Sequence, residues 1–332
     1  MTFISTLSRV AIRLGLGAGL LLSAALASAQ AQTEKFPDRA VTLILPFPPG
    51  STSDTITRIL QSEMTKRLDV PVVVENKSGA SGEIAYSTVA RAKPDGHTLL
   101  LTPDAVVLGP LIKNKGIDEV LGKRFTPVTI VAEAPLTFII PRVLPVNTVK
   151  EFVAYAKSQP QKLNFGSSGV GSVPYLSAAY FMQRTGIDMV HIPYRGAAHS
   201  MNAMFANEIQ FFLGDVNRYL ENKDRLKALV VTGSKRDPRL PDVPTFAEAG
   251  YPGEGFGLWL GLFAPAGTSP QLVARLNSEL SAIMTSAEFQ AQMRANGYES
   301  NVRSPSETDR FVRNSFNFWK KVVVEGKLRF EP

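Results

Sequence analysis

The chain has 332 residues, with 36 Lys and Arg, 29 Asp and Glu, three His and no Cys. Its formal net charge of +7 is spread along the chain and interleaved with acidic residues, so the composition does not predict a nucleic-acid-binding surface. The absence of cysteine excludes disulfides, and the length is sufficient for two domains, each with its own hydrophobic core.

Residues 1–31 are typical of a secretory signal peptide. Two arginines precede the apolar run Leu14–Leu26, and a small-residue cleavage site of Ala, Ser and Ala follows it. We predict cleavage before Gln30, with cleavage before Gln32 as the second choice. No cysteine follows the cleavage site, so we expect a mature protein that is soluble and carries no lipid anchor.

Strands and helices alternate after this leader, which predicts an α/β protein with a parallel sheet covered by helices on both faces. In the first half, the expected elements are a strand at Val41–Leu45, a helix at Ser53–Leu68, a strand at Val72–Glu75, a helix ending near Ala92, a strand at Thr98–Leu101 and an extended run at Phe125–Ile140. We interpret the extended run as a crossing to a second domain.

The second half repeats the alternation and ends in helices. The expected elements are helices at Val149–Ser158, Tyr175–Arg184, Ala197–Ala206, Gln271–Thr285 and Glu307–Glu325, and strands at Leu163–Phe165, Asp188–Pro193, Gln210–Leu213, Ala228–Thr232 and Leu258–Phe263. The last of these strands returns the chain to the first domain. The predicted lobes are therefore residues 33–135 with 258–332, and residues 136–257, with a cleft between them.

The turn after the first strand has the chemistry of an anion-binding site. Its prolines set an extended path around Phe47, and Gly50 allows the backbone to approach a bound group. The residues from Ser51 to Asp54 are all good helix N-caps, and the unpaired N–H groups behind them favour a carboxylate or phosphate. A capped strand-to-helix turn without any ligand explains the same pattern equally well.

A second turn of the same kind lies at Gly166–Pro174. It follows the strand Leu163–Phe165, combines glycines with serine hydroxyls, and leads through a proline into the next helix. The lysine that would reach the phosphates of a nucleotide is missing. The sequence therefore predicts two anion-binding turns, one in each lobe.

Seven segments in order closely resemble the substrate-binding proteins of tripartite tricarboxylate transporters, the Bug family. The first contains Pro-Phe-Pro-Pro-Gly and the second Glu-Asn-Lys-Ser-Gly-Ala-Ser-Gly. The segments are Val41–Asp54, Val72–Gly82, Lys93–Leu101, Asn164–Ser172, Val190–Gly196, Leu240–Gly250 and Gly261–Gly267. Together they span nearly all of the chain after the leader.

The resemblance implies a two-lobed periplasmic-binding-protein fold, type II-like, with two α/β domains joined by two crossing strands. It also implies a periplasmic protein, expected to be a monomer, that holds a small carboxylate in the interlobe cleft. The ligand would be a dicarboxylate, a tricarboxylate or an aromatic acid. The protein would deliver it to membrane permease subunits, without metal, cofactor or catalysis.

The resemblance also carries ligand-binding roles to particular positions. The family usually has a second glycine where this chain has Ser51, and commonly a histidine where it has Tyr175. The expected ligand-binding residues are Phe47, Gly50, Ser51, Thr52, Ser53, Asp54, Thr102, Asp104, Ser167, Ser168, Gly169, Gly171, Ser172, Tyr175, Tyr194, Arg195, Gly196 and Asp215.

Three charged positions in this set have more than one explanation. Arg195 is a candidate clamp for a carboxylate, since a guanidinium can bind both carboxylate oxygens, but a structural ion pair is at least as good an explanation. Asp104 and Asp215 are unusual beside an anion. They would bind loop amides, a water or the ammonium group of an amino acid.

A hydrolase and a sensory receptor are the two alternatives to a transport receptor. A hydrolase would need a base next to one of the loop serines, and no histidine lies within either loop motif. His97, His191 and His199 show no metal-ligand spacing, and the first two are expected to be structural. A receptor that reports to a membrane sensor kinase would have the same sequence features.

Overall fold

The computed structural model describes residues 36–159, 162–167, 169–194, 197–251, 256–328 and 330. The predicted signal peptide and the predicted site residues Ser168, Arg195 and Gly196 lie outside this part of the chain. Only the backbone of Thr52 is described. All elements below belong to the compact unit that begins at Arg39.

Nine strands of the described chain form one sheet, in the order β2-β1-β3-β9-β4-β7-β5-β6, with β8 also paired to β4. The strands are β1 (Val41–Leu45), β2 (Val72–Asn76), β3 (Thr98–Pro103), β4 (Phe125–Pro141), β5 (Asn164–Ser167), β6 (Val190–Pro193), β7 (Phe211–Asp215), β8 (Leu226–Val231) and β9 (Gly257–Pro265). Two sets of short strands are thus connected through β4 and β9.

Helices connect the strands and cover the sheet. They are α1 (Thr52–Leu68), α2 (Glu83–Ala90), α3 (Ala105–Ile112), α4 (Val149–Ser158), α5 (Val173–Thr185), α6 (Ala197–Phe205), α7 (Val216–Leu220), α8 (Pro270–Met284), α9 (Ala287–Ala295) and α10 (Pro305–Glu325). Short 3-10 turns lie at Ala80–Gly82 and Ile117–Glu119. None of the helices in the described ranges is long and apolar enough to span a bilayer.

The expectation of a parallel sheet is wrong for its centre. β1 pairs in parallel with β2 and β3, and β5 pairs in parallel with β6 and β7. In contrast, β9 is antiparallel to β3 and β4, and β4 is antiparallel to β7 and β8. The reason is that the two crossing segments run in opposite directions and pair with each other, which no local sequence pattern reveals.

This topology makes the carboxyl ends of the two parallel sets face each other. β3 runs in the direction of β4, and β7 runs against it. The end of β3 at Pro103 aligns through Leu260 with Ala132, and the end of β7 at Asp215 aligns with Leu136. Those two positions on β4 are about 13 Å apart, at roughly 3.3 Å per residue. The loops that follow both sets of strands therefore converge on the middle of β4.

The core of the sheet's second half is aromatic. Phe138 on β4 packs against Phe181 on α5 and Phe211 on β7, with ring centroids 4.8 and 5.0 Å away. Each of these rings is 0% exposed. Burying rings of this size contributes strongly to stability, so we infer that the core around β4 holds the converging loops in place.

The element boundaries mostly agree with the sequence-based expectations. β1 and α4 have the predicted bounds, and α10 begins at Pro305 inside a capping box formed by Ser304 and Glu307. The short helices α3 and α7 were not predicted. α3 carries a proline, Pro110, and α7 has only 5 residues, so neither has the periodicity by which a helix is recognised.

Candidate functional site

The first predicted loop begins where β1 ends and closes on the N-terminus of α1. Ser51 is the N-cap of α1, and its hydroxyl accepts a hydrogen bond from the backbone N–H of Asp54 at 3.2 Å. Gly50 has φ +80°, a conformation that side chains disfavour, and a Cβ there would have nothing within 4 Å. Thr52 and Ser53 occupy the first two helical positions, whose N–H groups lack intrahelical partners.

Asp54 is buried beneath this loop and accepts hydrogen bonds that hold it in shape. The side chain is 3% exposed, and its carboxylate accepts hydrogen bonds from the N–H of Gly50 at 3.0 Å and from Nε of Arg58 at 2.9 Å. Burial by itself would raise the pKa of Asp54, but the hydrogen bonds from Arg58, Gly50 and Asn76 bring it below its ordinary value. This arrangement supports a role in shaping the loop, and direct ligand contact stays a prediction.

Asn76 is a site residue that the sequence reasoning missed. Its Nδ2 donates to the carbonyl oxygen of Phe47 and to Oδ1 of Asp54, both at 2.9 Å. Asn76 ends β2, next to β1, so one side-chain amide connects two points of the loop. Its place in the segment Val72–Gly82, which carried part of the resemblance, was the signal that could have identified it.

The second predicted loop is built in the same way. Ser172 is the N-cap of α5, since its hydroxyl oxygen accepts from the N–H of Tyr175 at 3.4 Å while its O–H donates to the carbonyl oxygen of Gly169 at 2.6 Å. Gly169 has φ +116°, and a Cβ there would have nothing within 4 Å. Space next to the backbone is thus open at both Gly50 and Gly169, as an approach path for a ligand requires.

Ser167 and His191 form an unexpected contact below this loop. Oγ of Ser167 lies 2.7 Å from Nε2 of His191 and accepts from the N–H of Gly169 at 3.0 Å. The imidazole stacks on Phe165, at 4.9 Å between ring centroids, and meets the ring of Tyr175 edge-on at 4.8 Å. Ser167 is 0% exposed, so this pair is not an exposed nucleophile with its base. It fixes the loop.

Tyr194 is connected to the second loop through its backbone. Its N–H donates to the carbonyl oxygen of Ser167 at 2.8 Å, while its hydroxyl donates to Glu208 at 3.5 Å. Tyr194 therefore continues the pairing of β5 and β6 and holds the end of β6 in place.

Gly171 brings the second loop against α3. A Cβ at this position would lie 2.5 Å from Cδ1 of Ile112, and φ is +79°. Ile112 is the last residue of α3, which follows β3 in the other parallel set. The contact confirms that loops from the two sets of strands approach each other, and it explains why a glycine is required at this point.

Asp104 is buried at the end of β3. The residue is 3% exposed, and its Oδ2 has no hydrogen-bond partner among the residues that the structure describes. Burial raises the pKa of Asp104 to about 8, against one hydrogen bond from the N–H of Ala105 that lowers it. A pKa in this range favours the protonated carboxyl at pH 7. The neighbouring Thr102 is also buried, with its hydroxyl 3.2 Å from that of Tyr86.

Asp215 ends β7 and lies near a residue that no motif indicated, Tyr298. Burial, followed by the charges of Asp215 and Asp104, raises the pKa of the Tyr298 hydroxyl. Tyr298 comes from the segment after α9, which pairs with the middle of β4 through Glu299 and Glu133. The three side chains thus mark the place where the strand ends converge.

A cavity of about 470 Å³ lies beside the middle of β4 and β9, but none of the predicted site residues lines it. Charged side chains that line it are already paired with each other, since Arg303 binds both carboxylate oxygens of Glu133, at 2.7 and 3.1 Å. The predicted anion-binding site therefore stays at the converging loops, and this cavity is not part of it. Among the described residues, no group of three or more side chains has the makings of a metal site.

The sequence matches a known family over most of its length. Residues 56–328 match the tripartite tricarboxylate transporter family receptor family. Protein BugT of Bordetella pertussis is 29% identical over 315 residues, which cover 92% of this chain and 95% of BugT.

Solved structures with bound carboxylates have a similar fold. A Rhodopseudomonas palustris protein with adipate aligns with a TM-score of 0.77 and 30% identity, over 89% of this chain and 99% of that one. MatC from the same organism, with bound malate, aligns with a TM-score of 0.71 and 32% identity, over 87% of this chain and 100% of MatC. The expected two-lobed α/β fold is thereby confirmed, and the lobe boundaries stay a prediction.

Proposed function

Because the chain belongs to the tripartite tricarboxylate transporter receptor family, we propose that it captures a small carboxylate in the periplasm and delivers it to a membrane transporter of that kind. Proteins of this family are solute-binding receptors and not enzymes. The ligand site that we propose consists of the two capped loops and of the strand ends that converge on β4.

One observation carries this proposal: two helix N-termini follow strand ends that face each other across the middle of β4. Each helix begins with a serine cap, Ser51 in front of α1 and Ser172 in front of α5. The backbone N–H groups of a helix N-terminus and the helix dipole both favour a negative charge. A carboxylate with a second acceptor group would reach both loops.

The ligands of the similar solved structures narrow the expected substrate class. Adipate and malate are both aliphatic dicarboxylates, and they are bound to proteins with 30% and 32% identity to this chain. We propose aliphatic dicarboxylates as the first class to test, with tricarboxylates and aromatic acids next. Asp104 and the residues around Asp215 lie at the converging strand ends, close to the loops. We expect their side chains to determine which of these acids binds.

Isothermal titration calorimetry of the mature protein tests the proposal. The panel contains malate, adipate, citrate and benzoate, with the neutral diamide of adipate as a matched control and glucose as an unrelated solute. We expect one binding site per chain for at least one acid and none for the diamide. Binding of glucose alone, or of no acid at millimolar concentration, would contradict the proposal.

A further inference from the structure

Arg218 lies at the converging strand ends, and its guanidinium has no hydrogen-bond acceptor among the described residues. It lies in the first turn of α7, three residues after Asp215, and its side chain is 28% exposed. Its Nε is buried, and neither Nε nor the two terminal nitrogens donate a hydrogen bond to a described residue. A buried donor without an acceptor is costly, so it requires an explanation.

The only anion beside this guanidinium in the described chain is Asp215. Its Oδ2 lies 3.5 Å from Nε of Arg218, while its Oδ1 accepts the backbone N–H of Arg218 at 2.9 Å. The carboxylate therefore caps α7 and neutralises the guanidinium without forming the two parallel hydrogen bonds of which the pair is capable. Because Asp215 is nearest to Nε, the two terminal nitrogens are left for another acceptor.

Arg218 follows the carboxyl end of β7, one of the strand ends that converge on the middle of β4. β7, which α7 follows directly, shares its carboxyl edge with β5, which leads into the second loop. The charge of Asp215 also acts on the hydroxyl of Tyr298. A pKa of about 8 favours the protonated form of Asp104 at pH 7, and Arg218 pairs with Asp215, so these two acids add little net negative charge that would repel an anion.

We propose that Arg218 binds a carboxylate group of the ligand through its two terminal nitrogens, with Asp215 as the residue that positions its side chain. This inference rests on the proposed function and assigns the cation that recognises the acid. It also explains why an acidic residue, Asp215, lies at a site for anions. Asp215 holds the side chain of Arg218 in place and does not contact the ligand.

The first test compares Arg218→Gln, Arg218→Lys and the control Arg275→Gln by calorimetry with malate and adipate. Arg275 is 57% exposed and pairs with Glu279 on the outer face of α8. We expect Arg218→Gln to weaken binding of the acid by more than about tenfold, with Arg218→Lys in between because it keeps the charge but loses the planar fork. A loss of less than tenfold in Arg218→Gln would overturn the proposal.

The second test uses the wild-type protein, so it does not depend on the folding of a variant. Phenylglyoxal modifies accessible guanidinium groups, and the modified peptides are quantified by mass spectrometry with and without a saturating acid. Protection of Arg218 but not of Arg275 is the expected result. Equal modification of Arg218 in both states would overturn the assignment, while calorimetric binding of the acid would leave the proposed function standing. Failure of every acid to bind the wild type contradicts the proposed function itself.

Discussion

Oγ of Ser167 lies 2.7 Å from Nε2 of His191, although the two residues are 24 positions apart in the sequence. The contact joins the end of β5 to the side chain of a β6 residue, and it holds the serine that accepts the N–H of Gly169. A histidine that was expected to be structural therefore supports one of the two proposed ligand loops directly.

The substitution His191→Phe keeps a ring on Phe165 and removes the hydrogen-bonding nitrogen. We expect it to lower the free energy of unfolding by about 0.5–1.5 kcal/mol, the usual net value of one hydrogen bond. A double-mutant cycle with Ser167→Ala, measured by urea denaturation, isolates the interaction. The control His199→Phe changes an exposed residue and should stay within about 0.5 kcal/mol of the wild type.

The same pair predicts a direction for the pH dependence of stability. Burial lowers the pKa of His191, so the folded protein favours the neutral imidazole. Its contribution to stability is present above the unfolded value of about 6.5 and is lost as the pH falls through the lower folded value. As the pH falls between these two values, the wild type should lose more stability than His191→Phe, and identical acid profiles would contradict this expectation.

Asn76→Ala tests whether the first loop depends on a single side-chain amide. The change removes the hydrogen bonds to Phe47 and Asp54 and leaves two partly buried acceptors short of a donor. We expect a loss of about 1–3 kcal/mol in the free energy of unfolding and weaker binding of the acid. The exposed Asn147, replaced by alanine, is the control. Unchanged affinity in Asn76→Ala would show that the loop's shape does not determine binding.

For Asp104 we predict the opposite dependence of stability on pH. Its pKa of about 8, raised by burial, means that the folded protein keeps a proton that the unfolded chain releases near pH 4. This contribution to stability is complete below about pH 4 and is lost as the pH rises through about 8. Between these values, the wild type should lose up to about 1.4 kcal/mol per pH unit relative to Asp104→Asn.

Denaturant unfolding at several pH values measures this difference. Asp118→Asn makes the same chemical change at a carboxylate that is 77% exposed, and its profile should follow that of the wild type. Parallel profiles for the wild type and Asp104→Asn would mean that Asp104 is ionised in the folded protein, contrary to its burial without a partner.

Ligand binding should also bring the two predicted lobes together. β4 and β9 are the two strands through which the two sets of short strands are connected, so bending at the middle of this pair would open or close the facing loops. Small-angle scattering should show a smaller radius of gyration with saturating acid than without it. The same radius in both states would exclude a closing movement of that kind.

Much of the fold was predictable because its signals are local. The bounds of β1 and α4 and the capping box at Ser304 depend on residues within one turn or strand of each other. The two strand-to-helix turns were predicted for the same reason, although Ser51 was only one of four possible caps and Ser172 was not identified as a cap. Element order also indicated the two crossing segments, but not that β4 and β9 pair antiparallel with each other.

Local sequence patterns were sufficient to predict the α/β class, most elements and the two strand-to-helix turns, because caps, periodicity and glycine conformations act over a few residues. The assembled fold was needed to show that His191 reaches Ser167, and that Oδ2 of Asp104 and Nε of Arg218 have no hydrogen-bond partner in the described part of the chain. Each of these depends on strand pairing across the sheet. Burial and hydrogen-bond satisfaction are properties of the assembled neighbours, and the side chain alone does not carry them.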